Sequence, residues 1–203
     1  MKNHELTLPE GYREVYRIDA LNKRVGLILN LVAAAIITAV ILIAMIPYSL
    51  RGGIQNPDPV MVMISCGVFV ACLIAYMVLH ELVHGIAYKR LTHEKLTFGL
   101  GWSCAYCGVP NIFVYRRAAL IALVSPLIAF TLLLLPLTVV MLFVNPYAYL
   151  VSAALLGLHL GGCAGDGYVT ILLLRKFKSD TVLIRDTGPE QFFYETSSKG
   201  EEG

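Results

Sequence analysis

The stretch AYMVLHELVHGIAYKR, residues 75–90, decides how this chain is to be read. It opens as the end of a long apolar run, carries His80, Glu81 and His84, and leaves through Lys89 and Arg90. On an α-helix, residues four apart share a face, so His80 and His84 can address one ion. Glu81 stands beside that face. Two imidazoles, a third protein ligand and an open position make a zinc site of the catalytic kind. A carboxylate next to the first histidine can take the proton of the water that attacks an amide. Chance also places histidines four apart, as packed and hydrogen-bonded core residues. The setting weighs against chance, because an acidic side chain at the centre of a membrane helix costs about 2.5–3.5 kcal/mol on insertion scales.

Working outward, the 203 residues are 57% hydrophobic and only 15% charged, a membrane-protein composition. Four apolar stretches are long enough to cross a bilayer, at about 25–46, 60–88, 118–144 and 148–174, with a tail over 175–203. The first follows a charged segment and is too long for the core of a cleaved signal, so it reads as a retained span. Fifteen of the sixteen Lys and Arg residues fall on one side of a four-span arrangement. The positive-inside rule then predicts a multi-pass protein of the cell membrane with both termini in the cytoplasm. The net charge of +2 and the lack of a basic patch interleaved with aromatics speak against a nucleic-acid partner. The expected partners are the lipid bilayer and a membrane-protein or peptide substrate; oligomeric state is not legible.

A zinc site needs a third protein ligand. Asp166, in GLHLGGCAGDGYV, is the one acidic residue in the other three spans. His84 lies five residues before Lys89, about 7 Å, and Asp166 nine before Arg175, about 13 Å, so both fall in the cytoplasmic half of their spans. Asp166 can therefore meet the histidines; a helix cap or a pair with His159 is the plainer alternative. Gly161, Gly162, Gly165 and Gly167 weaken the helix around Asp166 and allow close approach. His159, seven residues before Asp166, is an auxiliary candidate that could orient it, stabilise an oxyanion or simply pack. Cys163 is a weaker alternative ligand.

The loop LTFGLGWSCAYCGVPNIFVYRR, residues 96–117, holds two strand-like runs about a GVPN turn signal. It predicts a short β-hairpin, re-entrant or packed on the membrane, whose edge could hold an extended peptide. The Cys104-x-x-Cys107 pair has no two further ligands nearby, so it reads as small hairpin residues rather than a metal site. No pattern suggests a disulfide framework. The first 24 residues could lie on the membrane surface, RDTGPEQFFYE could fold back on the cytoplasmic face, and SSKGEEG has a disordered composition. The fold expected is an all-α membrane protein, one domain over 1–203, with four transmembrane helices and that hairpin between the second and third.

HELVHG and the later GDG resemble the intramembrane metalloproteases of the site-2 protease type. The chain is more similar to a bacterial membrane family described as zincin peptidases, over roughly residues 73–194, including Ser125-Pro126. The resemblance implies a Zn²⁺ ion on His80, His84 and Asp166, with Glu81 as general base. Site-2 proteases usually carry Asn-Pro shortly before the aspartate, where this chain has Ala164 and Gly165. The leading expectation is an intramembrane zinc metallopeptidase acting near the cytoplasmic face. A non-proteolytic protein that binds or transports a divalent metal would need the same three ligands but has no need of Glu81.

Overall fold

Four helical segments are long and apolar enough to cross a membrane: Lys23–Leu50, Pro59–Thr92, Arg116–Val144 and Pro146–Arg175. The computed structural model describes residues 2–19, 22–100, 105–188 and 190–196. In chain order the elements are β1 (His4–Glu5), β2 (Tyr12–Asp19), α1 (Lys23–Leu50), α2 (Pro59–Thr92), β3 (Thr97–Leu100), β4 (Ala105–Gly108), β5 (Phe113–Tyr115), α3 (Arg116–Val144), α4 (Pro146–Gly162), α5 (Ala164–Arg175), β6 (Leu183–Asp186) and β7 (Glu190–Thr196). Each span thus outruns the apolar stretch read from sequence by a few residues at one or both ends. The fourth is two helices, interrupted at Cys163 alone. The glycines around Asp166 therefore permit one break rather than an unwound segment.

Two compact units share these elements. The first comprises Met1–Gly26, Glu81–Pro126 and Asp166–Gly203; the second comprises Leu27–His80 and Leu127–Gly165.

The first unit contains the main departure from the all-α expectation. Strands from the N-terminal segment, the loop after α2 and the tail form a five-stranded antiparallel sheet in the order β1-β5-β6-β7-β2. β2 pairs with β7 from Tyr12↔Thr196 to Asp19↔Glu190, with a bulge between Glu14 and Tyr16. Arg17 ties the pair by an ion pair to Glu190 and a stack over the Phe192 ring. The core of the unit joins Tyr16 and Phe193 to Phe177, Val169, Leu173, Ala119 and Tyr88.

The hairpin between α2 and α3 also differs in detail from expectation. β3 pairs with β4, from Thr97↔Gly108 to Leu100↔Ala105, so the reversal falls at 101–104, outside the described residues, as does Cys104. GVPN is indeed a turn: Ile112 N–H donates to the Val109 carbonyl (3.2 Å) with Pro110 and Asn111 between them. It joins β4 to β5, however, and β5 belongs to the other sheet, between β1 and β6. The tail residues 197–203, expected to be disordered, also lie outside the described residues.

The second unit is helical. Asn145 stops α3 and starts α4: its side chain accepts from the N–H groups of Tyr147 and Ala148, and Pro146 opens the helix without needing an acceptor. Gly161 lets α4 lie against α1, since a Cβ there would stand 2.8 Å from the Ala33 carbonyl oxygen and 2.5 Å from Ile37 Cγ1. Leu27, Leu31, Leu42 and Ile43 of α1 are exposed, as helix faces turned to lipid tails would be.

Candidate metal centre

Helix α2 carries the chemistry as a stripe. Tyr76, His80, His84 and Tyr88 are spaced four apart, and a helix stacks such positions along one face. His80 and His84 are both buried, at 9% and 7% exposure, in a helix whose neighbouring Leu79 and Leu82 are exposed. The polar stripe thus faces inward. Glu81, next to the stripe, is half-buried.

In the first unit, His84 meets Asp166, which lies in the first turn of α5. His84 Nε2 is 3.4 Å from Asp166 Oδ2. The other nitrogen, Nδ1, is 2.9 Å from the Ala122 carbonyl oxygen. A carbonyl can only accept, so Nδ1 carries a proton, and Nε2 faces the carboxylate either as a second donor or, in the neutral ring, through its lone pair. As a donor, Nε2 would make an ion pair with Asp166; as an acceptor, it would share a cation with it. A charge-assisted hydrogen bond closes to about 2.7–2.9 Å. Two ligands each about 2.0–2.1 Å from a tetrahedral zinc ion stand about 3.3–3.4 Å apart, which is the spacing observed. The donor set fits zinc.

Pro126 explains why the Ala122 carbonyl is available. In α3 that oxygen would accept from the N–H of residue 126, and proline has none. The carbonyl takes His84 Nδ1 instead, and Ser125 Oγ donates to it at 2.8 Å. A proline inside a helix thereby becomes the device that sets the tautomer of a histidine on another helix.

In the second unit, His80 Nδ1 lies 3.0 Å from Tyr76 Oη. The same hydroxyl is 3.0 Å from His159 Nδ1, and His159 Nε2 is 3.0 Å from Thr131 Oγ1. Phe130 closes the group by stacking on the His80 ring. His159 is fully buried, and its ring meets Tyr76, Thr131 and Cys163.

Two further residues were missed in the sequence. Tyr76 could have been found from the four-residue spacing of the stripe. Asp186, at the end of β6, had no such signal. It is 5% exposed, accepts from Tyr88 Oη (2.8 Å) and from Gly188 N–H (2.9 Å), and its pKa is pushed up to about 6 by burial, against those hydrogen bonds. Cys107, on β4, is buried and its thiol is pushed up to about 12, chiefly by desolvation, which makes it an inert thiol.

A carboxylate beside the second histidine of a His-Glu-x-x-His sequence is a donor pattern that suits zinc. Residues 73–182, more than half the chain, match a family described as "Putative zincin peptidase", and the chain belongs to that family. No curated protein and no solved structure matches it.

Proposed function

We propose that the chain is a zinc-dependent intramembrane endopeptidase of the site-2 protease type, which hydrolyses peptide bonds of membrane-embedded substrates near the cytoplasmic face. The reading assigns zinc to His80, His84 and Asp166 and the general base to Glu81. The observation that carries it is the His84–Asp166 pair, a ring nitrogen and a carboxylate oxygen at ligand spacing, with the other ring nitrogen held by the Ala122 carbonyl. His80 joins them through α2, one turn before His84, with Nδ1 turned to Tyr76.

Zinc, when bound, supplies Lewis acidity to the attacking water and to the scissile carbonyl. Glu81 accepts the proton of the water and returns it to the leaving amine. His84 holds its orientation through Ala122, so its lone pair needs no reorganisation as charge develops. The site lies toward the end of α2 that leaves through Lys89 and Arg90, and the charge asymmetry of the loops assigns that end to the cytoplasm. A substrate helix buries its carbonyls in its own hydrogen bonds and must unwind locally before attack, so Gly or Pro near the cut speeds cleavage.

The test is cleavage of a membrane-embedded peptide by Asp166→Ala and Cys163→Ala proteins in detergent or liposomes. Loss of cleavage in Asp166→Ala is expected. If Asp166→Ala cleaves normally, or if Cys163→Ala alone abolishes cleavage, Asp166 is not the third ligand.

A further inference from the structure

The second unit holds a cluster of which the peptidase reading uses only His80. The ligand atoms of His80, His159 and Cys163 all lie within 4.8 Å of one another, and all three side chains are buried. Cys163 Sγ stands 3.7 Å from His159 Nδ1, and Tyr76 Oη stands 3.0 Å from His159 Nδ1 and 3.0 Å from His80 Nδ1. Thr131 holds His159 from the far side through Nε2, so Nδ1 is the nitrogen that faces the cluster. We propose that His80, His159 and Cys163 form a second zinc position, with the Tyr76 hydroxyl in the fourth place, that competes with the catalytic position for His80.

The donor spacing suits the ion. Zinc bonds of about 2.0–2.1 Å to nitrogen and about 2.3 Å to sulfur put tetrahedral N and S ligands about 3.6 Å apart. The observed 3.7 Å between Cys163 Sγ and His159 Nδ1 agrees. Two imidazoles and a thiolate are donors that zinc prefers and that calcium or magnesium does not. The ligands come from three stations of the fold: α2, α4 and the single residue where α4 breaks before α5. Cys163, freed from helical geometry on its C-terminal side, caps α4 by donating its N–H to the His159 carbonyl at 3.1 Å. That bond fixes the thiol beside the imidazole. On binding, the thiol releases its proton to solvent and the two imidazoles bind as neutral ligands through Nδ1.

The competition follows from imidazole chemistry. A neutral ring has one proton and one lone pair. His80 bound through Nδ1 carries its proton on Nε2, and that nitrogen cannot then serve the catalytic ion. Zinc in the second position therefore holds the peptidase off, while zinc in the catalytic position frees Nδ1 to donate to Tyr76.

Cobalt(II) reports the difference, because a cobalt–thiolate bond gives a near-ultraviolet charge-transfer band and the catalytic ligands contain no sulfur. The full chain, purified in detergent and stripped with chelator, is titrated with Co²⁺ alone. The band is expected in the wild type, to be stronger in Asp166→Ala, where the competing position is gone, and to be absent in Cys163→Ala and in His159→Ala. No band in either the wild type or Asp166→Ala overturns the proposal. So does a band that survives Cys163→Ala, which would belong to another cysteine. Cleavage separates this proposal from the peptidase reading, on which it rests: a band in the wild type with no cleavage by either the wild type or Cys163→Ala, which lacks the second position, sinks the enzyme alone, and cleavage without a band sinks the second position alone.

Discussion

Replacing Pro126 by alanine should make the zinc-free protein more stable and the zinc site weaker. Alanine restores an N–H at 126, and that group competes with His84 for the Ala122 carbonyl, now 2.9 Å from His84 Nδ1. A proline inside a helix costs about 3 kcal/mol. About 1 kcal/mol of that reflects a lost hydrogen bond, which the His84 and Ser125 donors already offset. Proline also stiffens the unfolded chain, which returns about 0.4–1 kcal/mol. Roughly 1–1.5 kcal/mol of stabilisation is then expected in Pro126→Ala without zinc. On the metal side, loss of a partner behind a ligating histidine costs about 10- to 100-fold in affinity. A carbonyl has two lone pairs and can still be shared, so the lower end, about 10-fold, applies here. Thermal unfolding of chelator-stripped protein reads the first effect. The zinc concentration that half-restores peptide cleavage reads the second. An unchanged zinc requirement would refute the account of Pro126, and so would a Pro126→Ala protein less stable than the wild type without metal.

Gly161→Ala should lower the melting temperature, at a cost of about 1–3 kcal/mol, because its Cβ would meet the Ala33 carbonyl at 2.8 Å and backbone cannot step aside as a side chain can. Gly67→Ala, in α2 with nothing within 4 Å of the added carbon, is the control and should be neutral or slightly stabilising; equal losses in both would dismiss the close α1–α4 approach. Asp186 holds its proton to about pH 6 when folded but only to 3.8 when unfolded. The folded state therefore binds the extra proton between those values, stability falls as pH rises through that window, and the full cost above it is about 3 kcal/mol. Unfolding of metal-free Asp186→Asn should lose that slope; a slope unchanged in Asp186→Asn would show that other groups set it. For topology, single cysteines at Gly53 and Tyr147 should react with an impermeant reagent on intact cells, and cysteines at Thr92 and Ser197 should not. Labelling at Thr92 from outside would overturn the cytoplasmic placement of the active site.

The spans and the His-Glu-x-x-His face were legible because both are local. Apolar runs give length, and a four-residue spacing gives a shared face. The sheet was not, because its strands pair the two ends of the chain. β2 meets β7 some 170 residues away, and the bulge at Glu14/Tyr16 breaks the alternation by which YREVYRID would have been recognised. QFFYE was visible as an apolar-aromatic patch, and its partners Tyr16 and Phe177 were not. The nearness of Asp166 to His84 was expected by elimination, since a carboxylate deep in an apolar segment calls for a partner, and the two stand 3.4 Å apart. His159 was singled out as well, but its contacts with Tyr76 and Thr131, on other helices, have no trace in local spacing. Pro126 was visible as part of a Ser-Pro pair, but its effect passes through a carbonyl to a side chain 38 residues distant and has no trace in the order of residues.

Cleavage and zinc content measured together in Glu81→Gln test the central claim most directly. Glutamine keeps the shape of Glu81 and cannot accept a proton, and a positioned base contributes about 10²- to 10⁴-fold. Chelator-stripped wild type should regain cleavage of a membrane-embedded peptide when zinc is restored. Glu81→Gln should bind zinc as the wild type does and cleave at least about 100-fold more slowly. Cleavage by Glu81→Gln at the wild-type rate, or wild-type cleavage that survives stripping, would contradict the account.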